Sequence, residues 1–446
     1  MVVFSSLEFI FRFLPVFLIV YYIVPCRFRN AVLFIGSVFF YAVGEPRFVF
    51  LLLGLTVINW LLGRVIWNTW SKAAFAAAVL IDIAALVSCK VLALTVSSSL
   101  LPLGLSFYVF KMISYEADLY TGVIMYRPTF IETAAYFTMF PQVTQGPIMR
   151  YDADCFDDRE NRYTLENFEL GAVAFVLGLG FKVLLADRIA ILWNEIGKIG
   201  YESISTPLAW MGAYGYTFEL YFDFWGYSLM AAGIGMMLGF PFVRNFNHPY
   251  AAHSISEFYR DWHATLGAWF KDYIYIPMGG SRKGSAATVR NLLLVWLVTG
   301  YWHGGTLNFV IWGMVLGLLI VWEKFVMKKP MQRFPVIGRL HVLLLIPLTW
   351  VIFAIPDLQK LRIYFTRLFP FFGTQGTVNP GDFMKFLPVY GPFFLICALF
   401  CIPAVYRWIV VHRNSVLVLA GLTAVFWVSV YFLATTASNP FLYFSF

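Results

Sequence analysis

Apolar runs of membrane-spanning length recur along the whole chain and are separated by short polar segments. A spanning helix needs about 20 mostly apolar residues. The clearest runs lie at 7–24, 73–97, 168–193, 309–326 and 416–433. Further runs that are shorter or carry charges lie at 31–43, 48–62, 100–120, 132–148, 208–240, 342–355 and 387–406. The pattern therefore predicts an all-α polytopic membrane protein with about eleven spans.

Composition agrees with this interpretation, because only 13% of the residues are charged while 60% are hydrophobic. Soluble domains carry about 25% charged residues. The net charge of +8 comes from 32 Lys and Arg against 24 Asp and Glu. These basic residues fall in short runs between apolar spans, which is typical of topology signals, and we expect no nucleic-acid partner.

The basic runs also predict an orientation, because cytoplasmic loops accumulate Lys and Arg. We expect the runs at 27–29, 324–339 and 407–413 to be cytoplasmic, and both chain ends to be outside. The first 25 residues lack a basic start and a small-residue cleavage site, so we expect a retained helix. The five cysteines show no metal-ligand spacing.

One stretch, residues 244–305, is much more polar than its surroundings and holds four of the six histidines. Ionisable groups at membrane depth are costly and are functional candidates by default. We therefore expect the catalytic core here, within a single integral-membrane domain that covers residues 1–446.

Within this stretch, residues 256–273 are amphipathic at the helical period and predict an interfacial or re-entrant helix. Ser254 or Ser256 is expected to cap it, and Pro277 with Gly279 and Gly280 to end it. A surface anchor would explain its aromatic and basic residues. It would not explain why so many ionisable groups lie between two apolar blocks.

A second feature is His303, which ends an apolar helix beside Gly304 and Gly305. An imidazole has an ordinary pKa near 6.5 and suits acid–base chemistry, although a lone histidine is more often a packed core residue. His263 has the same ambiguity. No pair of histidines has metal-ligand spacing, so we predict no metal site.

The motifs of this stretch are similar to those of one known family. They are Asn247-His248-Pro249-Tyr250, Ser254 to His263, Trp269 to Gly280, Arg290-Asn291 and Trp302-His303-Gly304. They resemble the membrane-bound O-acyltransferases, most closely the bacterial branch that O-acetylates alginate or peptidoglycan. The N-terminal Val3 to Ser6 and the C-terminal Pro440 to Phe446 also look like this branch. Tyr259 and Lys271 stand where the family more often has Trp and Arg.

The resemblance implies a fold, a site and a donor. The fold would be a ring of transmembrane and re-entrant helices around a central funnel. His303 would be the catalytic base, with His263 as the second catalytic position. The candidate substrate- and donor-binding residues are Trp302, Asn291, Arg290, Arg282, Lys283, Tyr275, Asp272 and Arg260. His263, Asn291 or Trp302 would donate to the oxyanion or position the thioester carbonyl. Arg282, Lys283 and Arg290 would contact the donor phosphates or, equally, be loop charges that set topology.

The resulting hypothesis is an inner-membrane O-acyltransferase without a cofactor. It would move an acetyl group from cytoplasmic acetyl-CoA toward hydroxyls of an extracytoplasmic polysaccharide, with an esterase-like extracytoplasmic partner. Two alternatives stay open. One is D-alanyl transfer to teichoic acid from a carrier protein. The other is a transporter or flippase, against which the chain shows no internal repeat.

Overall fold

A computed structural model describes residues 4–152, 154–156, 163–372 and 378–436. Every regular element in these ranges is a helix, and they contain no β-strand. The expected motifs at Val3 and at residues 440–446 lie outside these ranges, as does part of the polar segment between the apolar runs at 132–148 and 168–193.

Twenty α-helices follow one another along the described residues. The first ten are α1 (Leu14–Ile23), α2 (Arg29–Gly44), α3 (Val49–Thr69), α4 (Lys72–Thr95), α5 (Leu105–Tyr120), α6 (Phe130–Thr138), α7 (Phe140–Val143), α8 (Leu165–Gly180), α9 (Asp187–Ile199) and α10 (Thr206–Met237). The others are α11 (Ile255–Asp261), α12 (Ala264–Phe270), α13 (Ser285–Gly304), α14 (Leu307–Trp322), α15 (Lys328–Arg333), α16 (Pro335–Ala354), α17 (Leu358–Leu368), α18 (Leu387–Phe400), α19 (Pro403–Val411) and α20 (Val416–Thr435).

Four π-helical segments extend these helices. Phe9–Phe13 precedes α1, and Lys271–Tyr275 continues α12. Phe181–Ala186 joins α8 to α9, so that one helical run covers Leu165–Ile199. Glu323–Met327 joins α14 to α15 in the run Leu307–Arg333. Such π segments often occur at functional sites, and two of these four contribute to the cavity described below.

Seven helices in the described residues are long and apolar enough to cross a membrane, which confirms an all-α polytopic membrane protein. They are Cys26–Gly44, Val49–Thr69, Lys72–Thr95, Leu165–Ile199, Leu307–Arg333, Pro335–Ala354 and Val416–Thr435. The bent pair α18 and α19 raises the number to eight, and Phe9–Ile23 is a shorter apolar helix.

This number is lower than the eleven expected, because several of the expected spans do not form long apolar helices. The run at 132–148 folds as the short helices α6 and α7. Helix α5 buries Lys111 and Glu116, and α10 buries Glu219 and Asp223. Residues 219–237 of α10 are all buried. Protein rather than lipid therefore surrounds these polar helices, which removes the cost of exposing their charges to hydrocarbon.

Two predicted helices are broken. The single helix expected at 256–273 divides into α11 and α12, because His263 between them has a left-handed backbone with φ +47°. The span expected at 387–406 bends by 75° between α18 and α19. Pro403 starts α19, and a proline at the first position of a new helix fits this break.

The described residues form two compact units. The first unit contains residues 4–179, 227–244 and 425–436, and the second contains residues 180–226 and 245–424. All of the candidate catalytic residues belong to the second unit. The central funnel that the resemblance implies stays a prediction.

Candidate active site

A cavity of about 720 Å³ lies in the second unit, among α11, α12, α13 and α14. Both candidate catalytic histidines, His263 and His303, line it. Of the eight candidate substrate- and donor-binding residues, Arg260 and Tyr275 also line it. The cavity is large enough for a small organic substrate, since typical ligand sites have volumes of 300–1,000 Å³.

His303 occupies the last turn of α13 and is 6% exposed. Its ring meets the rings of Trp312 and Phe353 edge to face, at centroid distances of 5.0 and 5.4 Å. Gly305 ends the helix with φ +67°, a conformation that glycine adopts without strain. The imidazole is therefore held between aromatic rings at a fixed helix end.

Helices α13 and α14 approach closely because of two facing glycines. A Cβ on Gly300 would lie 2.5 Å from the carbonyl oxygen of Phe309, and one on Gly313 would lie 2.4 Å from that of Trp296. Neither backbone oxygen can move away without shifting a helix. This crossing brings Trp312 of α14 next to His303 of α13.

His263 lies at the break between α11 and α12 and is 3% exposed. Its Nδ1 is 3.0 Å from Oδ1 of Asn245. The same oxygen accepts hydrogen bonds from Oγ1 of Thr265 at 2.9 Å and from its backbone N–H at 3.4 Å. Because this oxygen can only accept, Nδ1 of His263 carries a proton and donates.

Burial lowers the pKa of His263 to about 3, so the ring is neutral at physiological pH. With the proton on Nδ1, the lone pair of the neutral ring is on Nε2. Position 263 thus supplies a hydrogen-bond acceptor at Nε2. This arrangement favours a role in orienting a hydroxyl over donation to an oxyanion.

Asn291, another candidate oxyanion donor, has its side chain committed elsewhere. It is fully buried, and its Nδ2 donates to the carbonyl oxygens of Gly280 at 3.0 Å and Met278 at 3.4 Å. Its Oδ1 accepts from Nε and Nη2 of Arg290, at 3.2 and 3.0 Å. The Arg290-Asn291 pair therefore fastens the Gly-Gly turn to α13 and does not line the cavity.

The remaining candidates also lie outside the cavity lining. Trp302 packs its ring against His303 at 4.6 Å between centroids. Arg282 and Lys283 are exposed in the turn that precedes α13. Asp272 lies in the π-helical segment after α12. The structure thus brings His263, His303, Arg260 and Tyr275 together and leaves the other six candidates around them.

The cavity also has charged lining residues that were not among the candidates. Lys324 donates from Nζ to Oγ of Ser281 at 3.1 Å, and the hydroxyls of Tyr275 and Ser281 are 2.8 Å apart. Lys271 lines the same cavity, together with the candidate residue Arg260. No carboxylate occurs among the lining residues that the structure describes. Lys271 and Lys324 give this site a positive charge, and the third lining cation, Arg260, lies 3.4 Å from the carboxylate of Glu257.

Trp312 is the other residue that sequence analysis missed. It lines the cavity and is 1% exposed, and its Nε1–H meets no acceptor among the described residues. A buried donor without a partner is costly, by about 1–3 kcal/mol. Its position beside His303 makes it the candidate that could donate to a bound carbonyl oxygen.

Glu323 anchors the segment that carries His263. Its carboxylate accepts from the backbone N–H groups of Ile255 and Ser256 at 2.5 and 3.0 Å, and from Oγ of Ser256 at 3.1 Å. His341 adds a contact from Nε2 at 3.2 Å. Ser254 caps the same helix through the N–H of Glu257, as the sequence predicts. The start of α11 is therefore fixed against the π-helical segment that follows α14.

The other histidines contact structural groups. His341 contacts Glu323, and Nδ1 of His253 lies 3.2 Å from the carbonyl oxygen of Pro335. His248 packs against Trp225, and Nδ1 of His412 lies 2.9 Å from the carbonyl oxygen of Trp408. No group of three or more His, Cys, Asp or Glu in the described ranges could hold a metal ion. That no metal takes part stays a prediction.

Comparisons with known proteins identify the family of this chain. The family described as the membrane-bound O-acyltransferase family, MBOAT, matches residues 93–355. A probable alginate O-acetylase AlgI from Pseudomonas syringae pv. tomato is 38% identical over 394 residues, which cover 83% of this chain and 75% of the relative. A peptidoglycan O-acetyltransferase from Helicobacter pylori is 31% identical over 80% of this chain and 78% of the relative.

A third relative represents the alternative acyl group. A teichoic acid D-alanyltransferase from Bacillus subtilis is 25% identical over 235 residues, which cover 50% of this chain and 59% of the relative. The likeness to the two O-acetylating proteins is thus both higher and longer. A shared family and a cavity with two buried histidines support an acyl-transfer enzyme rather than a transporter. The chain therefore belongs to the membrane-bound O-acyltransferases, and it is a multi-pass membrane O-acyltransferase.

Proposed function

We propose that this protein transfers an acetyl group from a cytoplasmic thioester, acetyl-CoA, toward hydroxyls of an extracytoplasmic polysaccharide. The observation that carries the proposal is one cavity lined by two buried histidines and three cations. The names of the alginate and peptidoglycan relatives support acetyl as the acyl group and a polysaccharide as the acceptor. We place the enzyme in the inner membrane with an esterase-like partner outside, as the family resemblance implies.

His303 acts as the base in this proposal. It takes the proton of the acceptor hydroxyl while the hydroxyl oxygen attacks the thioester carbonyl carbon. The carbon–sulfur bond then breaks, and the departing thiolate takes the proton from the imidazolium. The products are an acetyl ester and a free thiol, so the reaction consumes no net proton.

The neighbouring groups divide the remaining tasks. Nε1–H of Trp312 donates to the carbonyl oxygen as it gains negative charge, because this indole is the buried donor beside His303. Nε2 of His263 accepts a hydrogen bond and holds a hydroxyl of the acceptor in place. Donor and acceptor thereby meet in a site whose hydrogen bonds are already oriented.

The positive lining residues bind the donor phosphates. Lys324, Lys271 and Arg260 face the same cavity, and Lys and Arg are the usual partners of phosphate oxygens. They replace Arg282, Lys283 and Arg290, which adjoin the motif in the chain but do not line the cavity. We therefore propose Lys324 and Lys271 as the main phosphate contacts.

The test compares His303→Ala with a matched control, His412→Ala. His412 is exposed, and its ring contacts Trp408, one turn earlier in the chain. In cells that carry each variant, we expect His303→Ala to abolish O-acetyl groups on the cell wall or exopolysaccharide at unchanged protein level. His412→Ala should leave them intact. Unchanged acetylation in His303→Ala would refute His303 as the base.

D-alanyl transfer is the second candidate, because the Bacillus subtilis relative carries that activity in its name. The two candidates differ in their donors. Radiolabelled acetyl-CoA and a D-alanyl carrier protein can each be offered to the purified enzyme with its membrane fraction. If only the carrier protein labels the membrane fraction, the enzyme transfers D-alanine and not acetyl groups.

A further inference from the structure

Three neighbouring polar side chains are buried in the first unit, and none of them is among the residues of the proposed active site. Asn59 of α3, Asp82 of α4 and Glu116 of α5 are each fully buried. Helices α3 and α4 are apolar enough to span the membrane. Ionisable groups in such a place are costly and mark function by default.

The hydrogen bond between Asn59 and Asp82 and the approach of Glu116 to Gly63 bring these side chains to one face of α3. Nδ2 of Asn59 donates to Oδ1 of Asp82 at 2.9 Å. Gly63 lies one turn after Asn59, and a Cβ placed there would be 3.4 Å from Oε1 of Glu116. Asp82 shares the buried face of α4 with Ala74 and Ala78. Both carboxyl groups therefore reach the same stripe of α3.

The cluster contains acceptors but too few donors. Oδ1 of Asn59, Oδ2 of Asp82 and both carboxyl oxygens of Glu116 meet no hydrogen-bond donor among the described residues. An ionised carboxylate buried in this way would lack the charge partner that normally offsets its desolvation cost. The carboxyl groups of Asp82 and Glu116 therefore need a positive charge from another source to neutralise them.

The neighbouring charged groups do not supply it. Lys111 of α5 donates to Gln142 at 2.9 Å and to the carbonyl oxygen of Tyr136. Arg64 of α3 is exposed over the ring of Trp60. Lys90 lies two turns after Asp82 on α4, about 12 Å away along the axis. On α6, Glu132 is itself an acid, and it belongs to an exposed capping box.

We propose that Asp82 and Glu116 form a proton-binding site inside the membrane, in which each carboxyl group is protonated. Two protons cancel the two negative charges and give the cluster two O–H donors in addition to the amide of Asn59. A single monovalent metal cation would leave one negative charge. In the described residues, no group of three or more acidic or other ligating side chains could hold a metal ion.

Infrared spectroscopy of the purified protein in lipid nanodiscs at neutral pH tests this site. Protonated carboxyl groups absorb separately from carboxylates, and the band shifts in D₂O. We expect Asp82→Asn and Glu116→Gln each to remove one such band. The matched control, Glu166→Gln, changes an exposed acid in the first turn of α8 and should remove none.

Two outcomes of this experiment would overturn the proposal. Unchanged bands in both variants would show that the carboxyl groups are ionised. Loss of the wild-type bands when choline chloride is replaced by sodium chloride would show that sodium, not the proton, is the ligand.

A stability measurement on the wild type tests the proposal even if the single variants fold poorly. If the folded state retains two protons that the unfolded chain releases, unfolding becomes about 100-fold more favourable per pH unit, tenfold for each proton. The unfolding midpoint of the wild type should therefore fall between pH 6 and 9. The isosteric double variant Asp82→Asn/Glu116→Gln should lose this dependence. Parallel curves for the two proteins would contradict the proposal.

Discussion

The indole N–H of Trp312 offers the sharpest test of the proposed chemistry. Replacing Trp312 by Phe keeps an aromatic ring beside His303 and removes the donor. The side chain is 1% exposed, and its N–H meets no acceptor among the described residues. If this donor faces the carbonyl oxygen in the transition state, its loss should reduce turnover rather than donor binding.

The size of the effect follows from what one oxyanion donor contributes. Removing such a donor typically lowers kcat by about 10²–10³, or about 2.7–4 kcal/mol. The substrate's resting carbonyl oxygen carries less charge, so the KM for acetyl-CoA should change by less than about threefold. The assay is steady-state release of free CoA by the purified enzyme, with its acceptor fraction, over a range of acetyl-CoA concentrations.

Packing losses need a separate control, because Phe is smaller than Trp and leaves a small void. Trp296→Phe makes the same change in another tryptophan that lines the cavity. A benzothienylalanine at position 312 is a stricter control, since its sulfur replaces N–H at nearly the same shape. If that isostere or Trp312→Phe retains kcat within about threefold of the wild type, Trp312 is not the oxyanion donor.

Further changes probe the lining and its supports. Lys324→Met should raise the KM for acetyl-CoA by about 10- to 100-fold at little change in kcat, since one charge-assisted contact contributes about 1.5–3 kcal/mol. Lys328→Met, outside the cavity, is the control, and equal KM values would argue against a phosphate contact. Glu323→Gln should destabilise the fold by about 1.5–3 kcal/mol, because it weakens the charged cap of α11; an unchanged midpoint of thermal unfolding would contradict that role. The folded-state pKa of His263 is lowered to about 3 from an ordinary value near 6.5, so the unfolded chain takes up a proton first as the pH falls. The resulting stability, present above pH 6.5, should fall by about 2 kcal/mol between pH 6.5 and 5. The variant His263→Asn should lack this part of the pH dependence, and identical pH profiles would show that residue 263 is not buried as a neutral ring.

Local sequence signals were sufficient for much of the fold. The apolar runs at 31–43 and 48–62 form the separate helices α2 and α3, and Ser254 caps α11, as expected. Such signals act between residues that are close in the chain. The break at His263 had no comparable signal, because a non-glycine residue with positive φ is held there by contacts such as that with Asn245.

The candidate site, too, could be predicted from the sequence only where the signal is local. His263 and His303 could be found from the motifs around them, and both line one cavity. Trp312 of α14 and Lys324 of the π-helical segment after it could not be found, because they reach the cavity only through the glycine crossing of α13 and α14. Lys324 was instead interpreted as a topology charge. Sequence proximity also favoured Arg282 and Lys283, although the turn that carries them lies outside the lining.

The buried acidic side chains of the two units differ in whether a cation lies beside them, and this difference supports the inference about the first unit. In the second unit, Nζ of Lys182 lies 2.8 Å from Asp187 and 2.6 Å from Asp223, so a cation accompanies the acids. At Asp82 and Glu116, the described residues provide an amide and no cation. A chain that places a lysine between one pair of buried acids can do so elsewhere. No lysine occupies the equivalent place at Asp82 and Glu116 among the described residues, and this agrees with the proposal that each of these carboxyl groups carries a proton.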